Sequence, residues 1–379
     1  MLSLNNEERK VEYLELIYDL VFVYMVGRNN ALLSHFENGF VSANAFIAYI
    51  LCTLAIIQIW NFTTFYINMF GRNGARDHVF LLVNMYLMYF IGESTRFDWD
   101  VYQAQYHIAW ALILANIGLQ YVIELRNHED GCTRGLIKRL AATLFIEAAI
   151  ALSASFTVPG LVAPLSFAAI FAGIILTAAI RNKSPGGMVD FPHLTERAML
   201  YVVFTFGEMI IVVSSYFVGR GEFDPNVIYF SLMCFLIVAG LFVAYEIIYD
   251  HLLDRDMQTS GMLYMFIHIF LIFALGCITV SLEFMREEEV RLMPKVVFIT
   301  AAIIGYFVCL FCTGVYAKNK CRMTAGFVLK LLAITAAFAA LMMIFMENMM
   351  VNIFVTVAYV WSIVAVLIKA KREFDRIPG

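Results

Sequence analysis

Long apolar stretches separated by short polar segments run through almost the whole chain. A helix needs about 20 apolar residues to cross a bilayer, and stretches of this kind recur twelve times. The pattern therefore predicts an all-α, polytopic transmembrane bundle of about 12 helices. The predicted helices are Tyr13–Leu33, Ala43–Tyr66, Val79–Ser94, Val101–Glu124, Lys138–Thr157, Leu161–Ile180, Ala198–Val218, Asn226–Asp250, Gly261–Glu283, Pro294–Tyr316, Ala325–Met346 and Met349–Ile368.

Composition agrees with this helical pattern. The 379 residues are 62% hydrophobic and only 15% charged, which is more apolar material than a soluble core could bury. We therefore expect the lipid bilayer to be the main partner of the chain. A formal net charge of −4 argues against nucleic acid as a partner.

The distribution of basic residues predicts the orientation. Lysine and arginine are enriched in cytoplasmic loops. When the twelve helices alternate, most of the 26 basic residues fall on the side of the N-terminus. We therefore expect a multi-pass protein of the cell (plasma) membrane with both termini in the cytoplasm. The first helix lacks the features of a cleaved signal and should be retained.

Two helix starts that carry acids lie roughly 190 residues apart and resemble each other. The spacing predicts two parallel six-helix repeats, at residues 1–190 and 191–379, as in several transporter folds. The alternative is that any two apolar helices look alike. The matching positions are Glu8-Arg9 with Glu196-Arg197, Tyr13 with Tyr201, Gly92 with Gly276, and Lys138 with Lys330.

Carboxylates inside these helices are the first candidates for chemistry. An ionised Asp at a bilayer centre costs roughly 2.5–3.5 kcal/mol, so such groups usually face a protein interior or a watery cavity. Glu15 and Asp19 share one helical face, and Glu208 lies about ten residues into its helix. If these faces meet between the halves, the carboxylates would compete for one proton or one cation. The alternative is that Glu15 reaches the interface and Asp19 only bonds to a neighbouring helix.

Other polar groups allow two interpretations each. Glu246 begins an acidic stripe with Asp250 and Asp254, which could bind a cation or collect protons, or could be a solvated helix end. His268 titrates at useful pH, although a packing role is as plausible. His193 and Arg197 could bind an anionic headgroup, form a salt bridge, or anchor the helix at the cytoplasmic surface.

Three sequence blocks resemble the bacterial low temperature requirement A family of membrane proteins. They are the run ELIYDLVFV from Glu15 to Val23, the residues Trp60, Thr64, Tyr66 and Asn68, and the residues His193, Glu196, Arg197, Gly207 and Glu208. Four positions depart from the family pattern, namely Ile17, Tyr18, Met69 and Phe206, and they put fine selectivity in doubt. The resemblance implies a membrane protein connected with growth in the cold, and it adds Trp60, Tyr66 and Glu196 to the candidate site.

Enzyme motifs are missing from the sequence. It has no His-Glu-x-x-His, no Gly-x-Ser-x-Gly and no glycine-rich phosphate loop. Its seven cysteines suggest neither a metal set nor a cofactor. We predict a secondary transporter or channel that uses intramembrane carboxylates to couple to protons, small cations or a small molecule. The alternatives are a membrane enzyme or lipid-handling protein acting on a headgroup or isoprenoid, and a membrane sensor or scaffold. Substrate and oligomeric state stay open.

Overall fold

A computed structural model describes residues 10–33, 36–96, 99–180, 188–215, 224–321 and 324–375. Twelve α-helices lie within these ranges, which confirms the predicted all-α class. They are α1 (Tyr13–Arg28), α2 (Ala43–Phe70), α3 (Ala75–Ser94), α4 (Trp99–Glu124), α5 (Gly131–Ala154), α6 (Pro159–Ile180), α7 (Phe191–Ser215), α8 (Pro225–Ile247), α9 (Met262–Phe284), α10 (Leu292–Cys312), α11 (Ala325–Ile344) and α12 (Met349–Asp375).

Nine of the helices in the described ranges are long and apolar enough to cross a membrane. The other three are α1, α3 and α5. Helix α1 has 16 residues, or about 24 Å, which is shorter than the hydrocarbon core of a typical bilayer. Helix α5 carries Arg134, Lys138 and Arg139 near its start. The chain is thus a multi-pass helical membrane protein, and its six-helix repeat stays a prediction.

The chain forms two compact units. The first contains residues 1–35, 41–201 and 256–269, and the second contains residues 36–40, 202–255 and 270–379. Glu8 and Arg9 of the predicted repeat, and the predicted end of the seventh helix at Val218, lie outside the described residues. The predicted division at residue 190 stays a prediction.

Helix α2 is the central helix of the first unit. It packs against α1, α4 and α6, and its side chains from Ala55 to Ile67 are all buried. It contains no Asp, Glu, Lys or Arg, so it can be surrounded by protein and lipid without leaving a formal charge unpaired. Its polar side chains must find partners on neighbouring helices, because a buried polar group without a hydrogen bond is costly.

Helix α7 begins at Phe191, earlier than the predicted start at Ala198. Asp190 caps the helix, because its Oδ1 accepts a hydrogen bond of 3.1 Å from the His193 amide and its carbonyl accepts one of 3.0 Å from Leu194. Pro192 in the first turn suits this position, since proline lacks the amide that a first turn leaves unused. As a result, His193 and Arg197 lie one turn apart on a regular helix.

The second unit contains a tight turn and a close helix contact. Positive φ angles at Asn38 (54°) and Gly39 (83°) close a short hairpin, and the Gly39 carbonyl accepts a 2.7 Å hydrogen bond from the Arg291 amide. Helices α8 and α12 pack closely where α8 has Gly240. A Cβ there would come within 2.6 Å of Val360. Helix α8 ends in a π-helical turn, Ile248–Leu252.

Asp130 caps helix α5, and its role gives a pH-dependent prediction. Hydrogen bonds from the Thr133 hydroxyl and amide and the Cys132 amide hold the pKa of the Asp130 carboxyl below its ordinary value of 3.8. Because the pKa is lower in the folded protein, the ionised carboxylate stabilises the start of α5 at pH values above its ordinary pKa. This stabilisation is lost as pH falls through the pKa of the folded protein. We expect Asp130→Ala to speed amide hydrogen exchange at Cys132 and Thr133 a few-fold at neutral pH, and to have no effect in strong acid. Glu129→Ala, an exposed neighbour, is the control; equal exchange in both variants at neutral pH would contradict the prediction.

Candidate functional site

A buried ion pair joins α1 and α7 in the first unit. The Arg197 Nη2 atom lies 2.5 Å from Asp19 Oδ1, and its Nε atom lies 3.4 Å from Asp19 Oδ2. Both side chains are 0% exposed. This two-point contact uses the planar fork of the guanidinium, which matches a carboxylate. Removal of two charges from water is expensive, so such a pair is held by geometry and extra hydrogen bonds.

A second contact lies one helical turn from the first. Glu15 Oε2 is 3.5 Å from His193 Nε2 and 3.5 Å from Arg197 Nε. Glu15 precedes Asp19 by four residues, as His193 precedes Arg197, so each helix presents both members of its pair on one face. The order of the contacts means that α1 and the start of α7 run in the same direction. We call these four residues the Asp19 cluster.

Helix α2 supplies an indole that supports the cluster. The Trp60 Nε1 atom donates a 2.7 Å hydrogen bond to Asp19 Oδ1. The Trp60 ring also packs against Tyr201 of α7, with 4.4 Å between ring centroids. Trp60, Asp19 and Tyr201 are all fully buried. Asp19 is therefore bound from two helices at once, and its orientation is fixed.

Asn68 determines which nitrogen of His193 carries the hydrogen. The Asn68 amide faces the backbone of Asp190, because its Oδ1 accepts from the Asp190 amide (3.1 Å) and its Nδ2 donates to the Asp190 carbonyl (2.8 Å). The same Nδ2 lies 3.2 Å from His193 Nδ1. Since Nδ2 is a donor, Nδ1 must accept. The histidine is therefore neutral, with its hydrogen on Nε2 toward Glu15.

The charges of the Asp19 cluster do not balance. With both carboxylates ionised, Glu15 and Asp19 carry two negative charges against the single positive charge of Arg197. Protonation of His193 would place two donors, its Nδ1 and the Asn68 amide, against each other. Arg197 Nη1 has no hydrogen-bond partner among the described residues.

A group of hydrogen-bonded polar side chains lies beside the cluster and begins at Tyr18 of α1. The hydroxyls of Tyr18 and Thr63 lie 2.9 Å apart. Asn84 donates a 3.3 Å hydrogen bond to the Tyr18 hydroxyl, and Asn116 donates one of 2.8 Å to Asn84. These bonds join α1, α2, α3 and α4. They satisfy polar groups that sequence analysis had not connected.

The remaining predicted site residues lie apart from these contacts. Tyr66 is buried against Tyr121, with ring centroids 5.0 Å apart, near the end of α2. Glu196 is half-buried on α7. His268 is buried, with its Nδ1 2.8 Å from the carbonyl of Tyr264.

Glu208 and Glu246 belong to the second unit. Glu208 is half-buried, and Glu246 is exposed. The π-helical turn begins two residues after Glu246, so the predicted acidic stripe does not continue on a regular α-helical face. No group of three or more possible metal ligands is found among the described residues. The predicted proximity of Asp19 and Glu208 stays a prediction.

Sequence analysis missed a second buried carboxylate, Glu124 at the end of α4. Arg72 donates to its Oε1 at 3.0 Å, and Arg76 donates to its Oε2 at 2.7 Å. Asp77 accepts from the Arg72 amide at 2.8 Å. These bonds hold the loop between α2 and α3 against α4. In the sequence, this contact was indicated only by the arginine-rich polar loop between α2 and α3. No local feature identified the acid that the loop would bind.

The helices and the buried ion pair define a class of protein. This is a multi-pass α-helical membrane protein that holds charged side chains inside its helix bundle, where they usually serve a function. The profile of the bacterial low temperature requirement A protein (LtrA) matches residues 10–367. The chain therefore belongs to the LtrA family. No curated protein and no solved structure matched it.

Proposed function

We propose that this protein is a secondary transporter or channel of the plasma membrane, with both termini in the cytoplasm, and that the Asp19 cluster is its proton- or cation-coupling site. The observation that carries the proposal is the shared guanidinium. Two buried carboxylates face one arginine, and a neutral histidine stands beside them. Counted over its own four residues, the Asp19 cluster has one more negative charge than positive charges, and a proton or a small cation would offset this difference.

Glu15 is the residue that binds this ion in the proposed mechanism. Asp19 is held by Arg197 and Trp60, so its charge is already compensated. Glu15 Oε2 lies 3.5 Å from both His193 Nε2 and Arg197 Nε, and Glu15 is nearer the start of α1 than Asp19 is. Arg197 Nη1 offers a further donor, which could hold a water molecule that delivers the proton.

Coupling follows if the occupied and empty sites favour different helix arrangements. When Glu15 is charged, it attracts Arg197 and draws α1 toward α7. When a proton neutralises it, that attraction is lost and only the Asp19 contact remains. A ligand shifts an equilibrium between two conformations only by its differential affinity for them. The changing charge of Glu15 provides such a difference.

A flux assay in liposomes tests this function. We expect the purified protein to dissipate an imposed proton, sodium or potassium gradient, followed with an ion-sensitive dye inside the vesicles. Glu15→Gln keeps the shape of the side chain and removes its charge. It should lower the flux about 100-fold, at the low end of what a positioned proton-transfer group contributes. Comparison of the three gradients identifies the ion.

The matched control is Glu129→Gln, the same substitution in an exposed loop. This variant should transport at the rate of the unmodified protein. Ordinary flux through Glu15→Gln would refute the assigned role of Glu15. Absence of flux through the unmodified protein under all three gradients would refute ion transport itself.

An apolar pocket in the first unit favours lipid handling as a second candidate function. The pocket is bounded by α2, α4, α5 and α6, and Met69 and Val189 lie on its wall. These two residues are next to Asn68 and Asp190, which bind His193. The cavity is small, about 20 Å³, so an apolar chain would enter it only if the lining side chains moved apart. The liposome assay separates the candidates, because a lipid-handling protein would leave ion gradients intact.

A further inference from the structure

A further acidic side chain lies deep in the first unit, away from the Asp19 cluster and distinct from Glu124. Glu147 is 0% exposed on α5, about 24 Å along the helix from its first residue. Its Oε2 accepts a long hydrogen bond of 3.4 Å from Gln58 Nε2. Its Oε1 has no hydrogen-bond partner among the described residues. A carboxylate would normally need more donors than this to stay ionised in an apolar interior.

No described cation lies within ion-pair distance of Glu147. Helices α2 and α6 contain no Asp, Glu, Lys or Arg. The basic residues of α5 lie near its start, two or more turns from Glu147. The ionisable side chains on the packed helices α4 and α2 are aromatic or thiol groups, two acids and one histidine. They are Asp100, Tyr102, Tyr106, His107, Tyr121 and Glu124 on α4, and Tyr49, Cys52 and Tyr66 on α2.

His107 is the ionisable side chain of α4 that contacts α6, and both of its ring nitrogens have polar partners. Its Nδ1 lies 2.6 Å from the Gln103 carbonyl, and its Nε2 lies 2.7 Å from the Ser166 hydroxyl. The carbonyl must accept, so Nδ1 carries a hydrogen. The single hydrogen of the Ser166 hydroxyl can go to His107 Nε2 or to the Val162 carbonyl, which lies 2.8 Å away. Both ring nitrogens of His107 are thus engaged with groups other than Glu147.

The surroundings of Glu147 fix the orientation of Gln58, its hydrogen-bond partner in the described part of the chain. Gln58 Nε2 also donates a 3.1 Å hydrogen bond to the Ile170 carbonyl, so the amide nitrogen must face α6 and Glu147. Gly173 provides the space, because a Cβ at that position would overlap both the Glu147 carboxyl and the Gln58 amide. Oε2 therefore accepts from Gln58, and Oε1 is the oxygen that can carry a hydrogen.

We propose that Glu147 is a proton-binding site, which holds a proton on Oε1 as a neutral carboxylic acid at neutral pH. Binding and release involve only the O–H bond of this carboxyl, and the proton comes from water. The site is distinct from the Asp19 cluster and does not depend on ion transport. Helix α2 contributes to both, since Gln58 and Trp60 are two residues apart and point to different sides of the helix.

Infrared spectroscopy tests the protonation state directly. The unmodified protein in lipid at neutral pH should show the carbonyl stretch of a protonated carboxylic acid, and the band should shift in heavy water. Glu147→Gln, a close mimic of the neutral acid, should fold normally and lose this band. Glu129→Gln, in an exposed loop, should retain it. Glu15→Gln should also retain it, which separates this site from the Asp19 cluster.

A second variant keeps the test valid if Glu147→Gln folds poorly. Gln58→Leu removes the amide that donates to Oε2, and the band should persist at a higher frequency because the carbonyl has lost its hydrogen bond. A band that is unchanged in Glu147→Gln would overturn the proposal. So would a band in Gln58→Leu with the frequency of the unmodified protein.

Discussion

Replacement of Asp19 by asparagine is expected to destabilise the protein by about 3–5 kcal/mol, the usual cost of removing one partner from a buried ion pair. Asparagine keeps the shape of the side chain, and its Oδ1 can still accept from Trp60. The loss of stability therefore measures the cost of leaving the Arg197 guanidinium without its carboxylate partner. A guanidinium cannot lose its proton in a protein, so the protein cannot neutralise it, and Glu15 at 3.5 Å is the remaining anion.

Reversible unfolding in mixed detergent micelles measures this loss. Asp256→Asn, the same substitution at an exposed position, should leave stability unchanged. The double variant Asp19→Asn/Arg197→Gln should recover most of the loss, because it removes both charges, and the double-mutant cycle isolates their coupling. Stability in Asp19→Asn equal to that of the unmodified protein would show that the pair does not hold α1 against α7.

Replacement of Arg197 by methionine should have a comparable cost at neutral pH, about 3–5 kcal/mol, but a different pH dependence. It leaves Asp19 and Glu15 without their guanidinium. Carboxylates, unlike arginine, can be neutralised by protons. The folded variant therefore binds protons that its unfolded chain, with ordinary carboxyl groups, releases above about pH 4.

The sign follows from proton linkage. A folded state that binds more protons than the unfolded state loses stability as pH rises, by about 1.4 kcal/mol per pH unit for each proton. The deficit of Arg197→Met should therefore shrink as pH falls, whereas the deficit of Asp19→Asn should not. The measurement is the unfolding free energy of both variants from mildly acid to mildly alkaline pH. Parallel pH profiles for the two variants would contradict this account.

Arg197→Lys distinguishes charge from geometry. Lysine restores the positive charge but lacks the planar fork that contacts both oxygens of Asp19. We expect it to remove the pH dependence seen in Arg197→Met while recovering only part of the stability. This outcome would mean that the fork orients Asp19, and that the charge alone offsets the carboxylates.

Helix positions were largely predictable, and helix starts were less so. Apolar runs are a local property, so all twelve helices appear where hydrophobicity predicts them. Helix α7 starts seven residues before its predicted start, at Phe191 and not at Ala198. The first two turns of α7 contain His193 and Arg197. Because these residues are polar, a search for apolar runs did not include the two turns. The Asp190 cap and Pro192 were the local signals that could have located the start.

The candidate site was predictable only in part. The four-residue spacing of Glu15 and Asp19 correctly indicated that both share one face of α1, and this face meets α7. Trp60 was suggested by family resemblance, and it does bind Asp19. Tyr66 came from the same pattern, yet it lies beside Tyr121 and not in the cluster. Spacing within a helix defines a face, but it does not identify the neighbour of that face.

Partners separated by long stretches of chain account for what was missed. Asp19 and Arg197 are 178 residues apart in sequence, and Gln58 and Glu147 are 89 apart. Each of these side chains had several possible partners of suitable chemistry. The choice among them depends on how whole helices pack, which is decided by the summed contacts of many apolar side chains and not by the polar residues themselves.

The sequence by itself determined that this is a multi-pass helical membrane protein of the LtrA family, with acids on defined helix faces, because hydrophobicity, spacing and motif are written along the chain. Only the tertiary structure decided that Arg197 neutralises Asp19, that Asn68 keeps His193 neutral, and that Glu147 has no cation within ion-pair distance among the described residues. These properties arise where distant segments meet, since charge balance and hydrogen bonding belong to the packed surroundings of a residue.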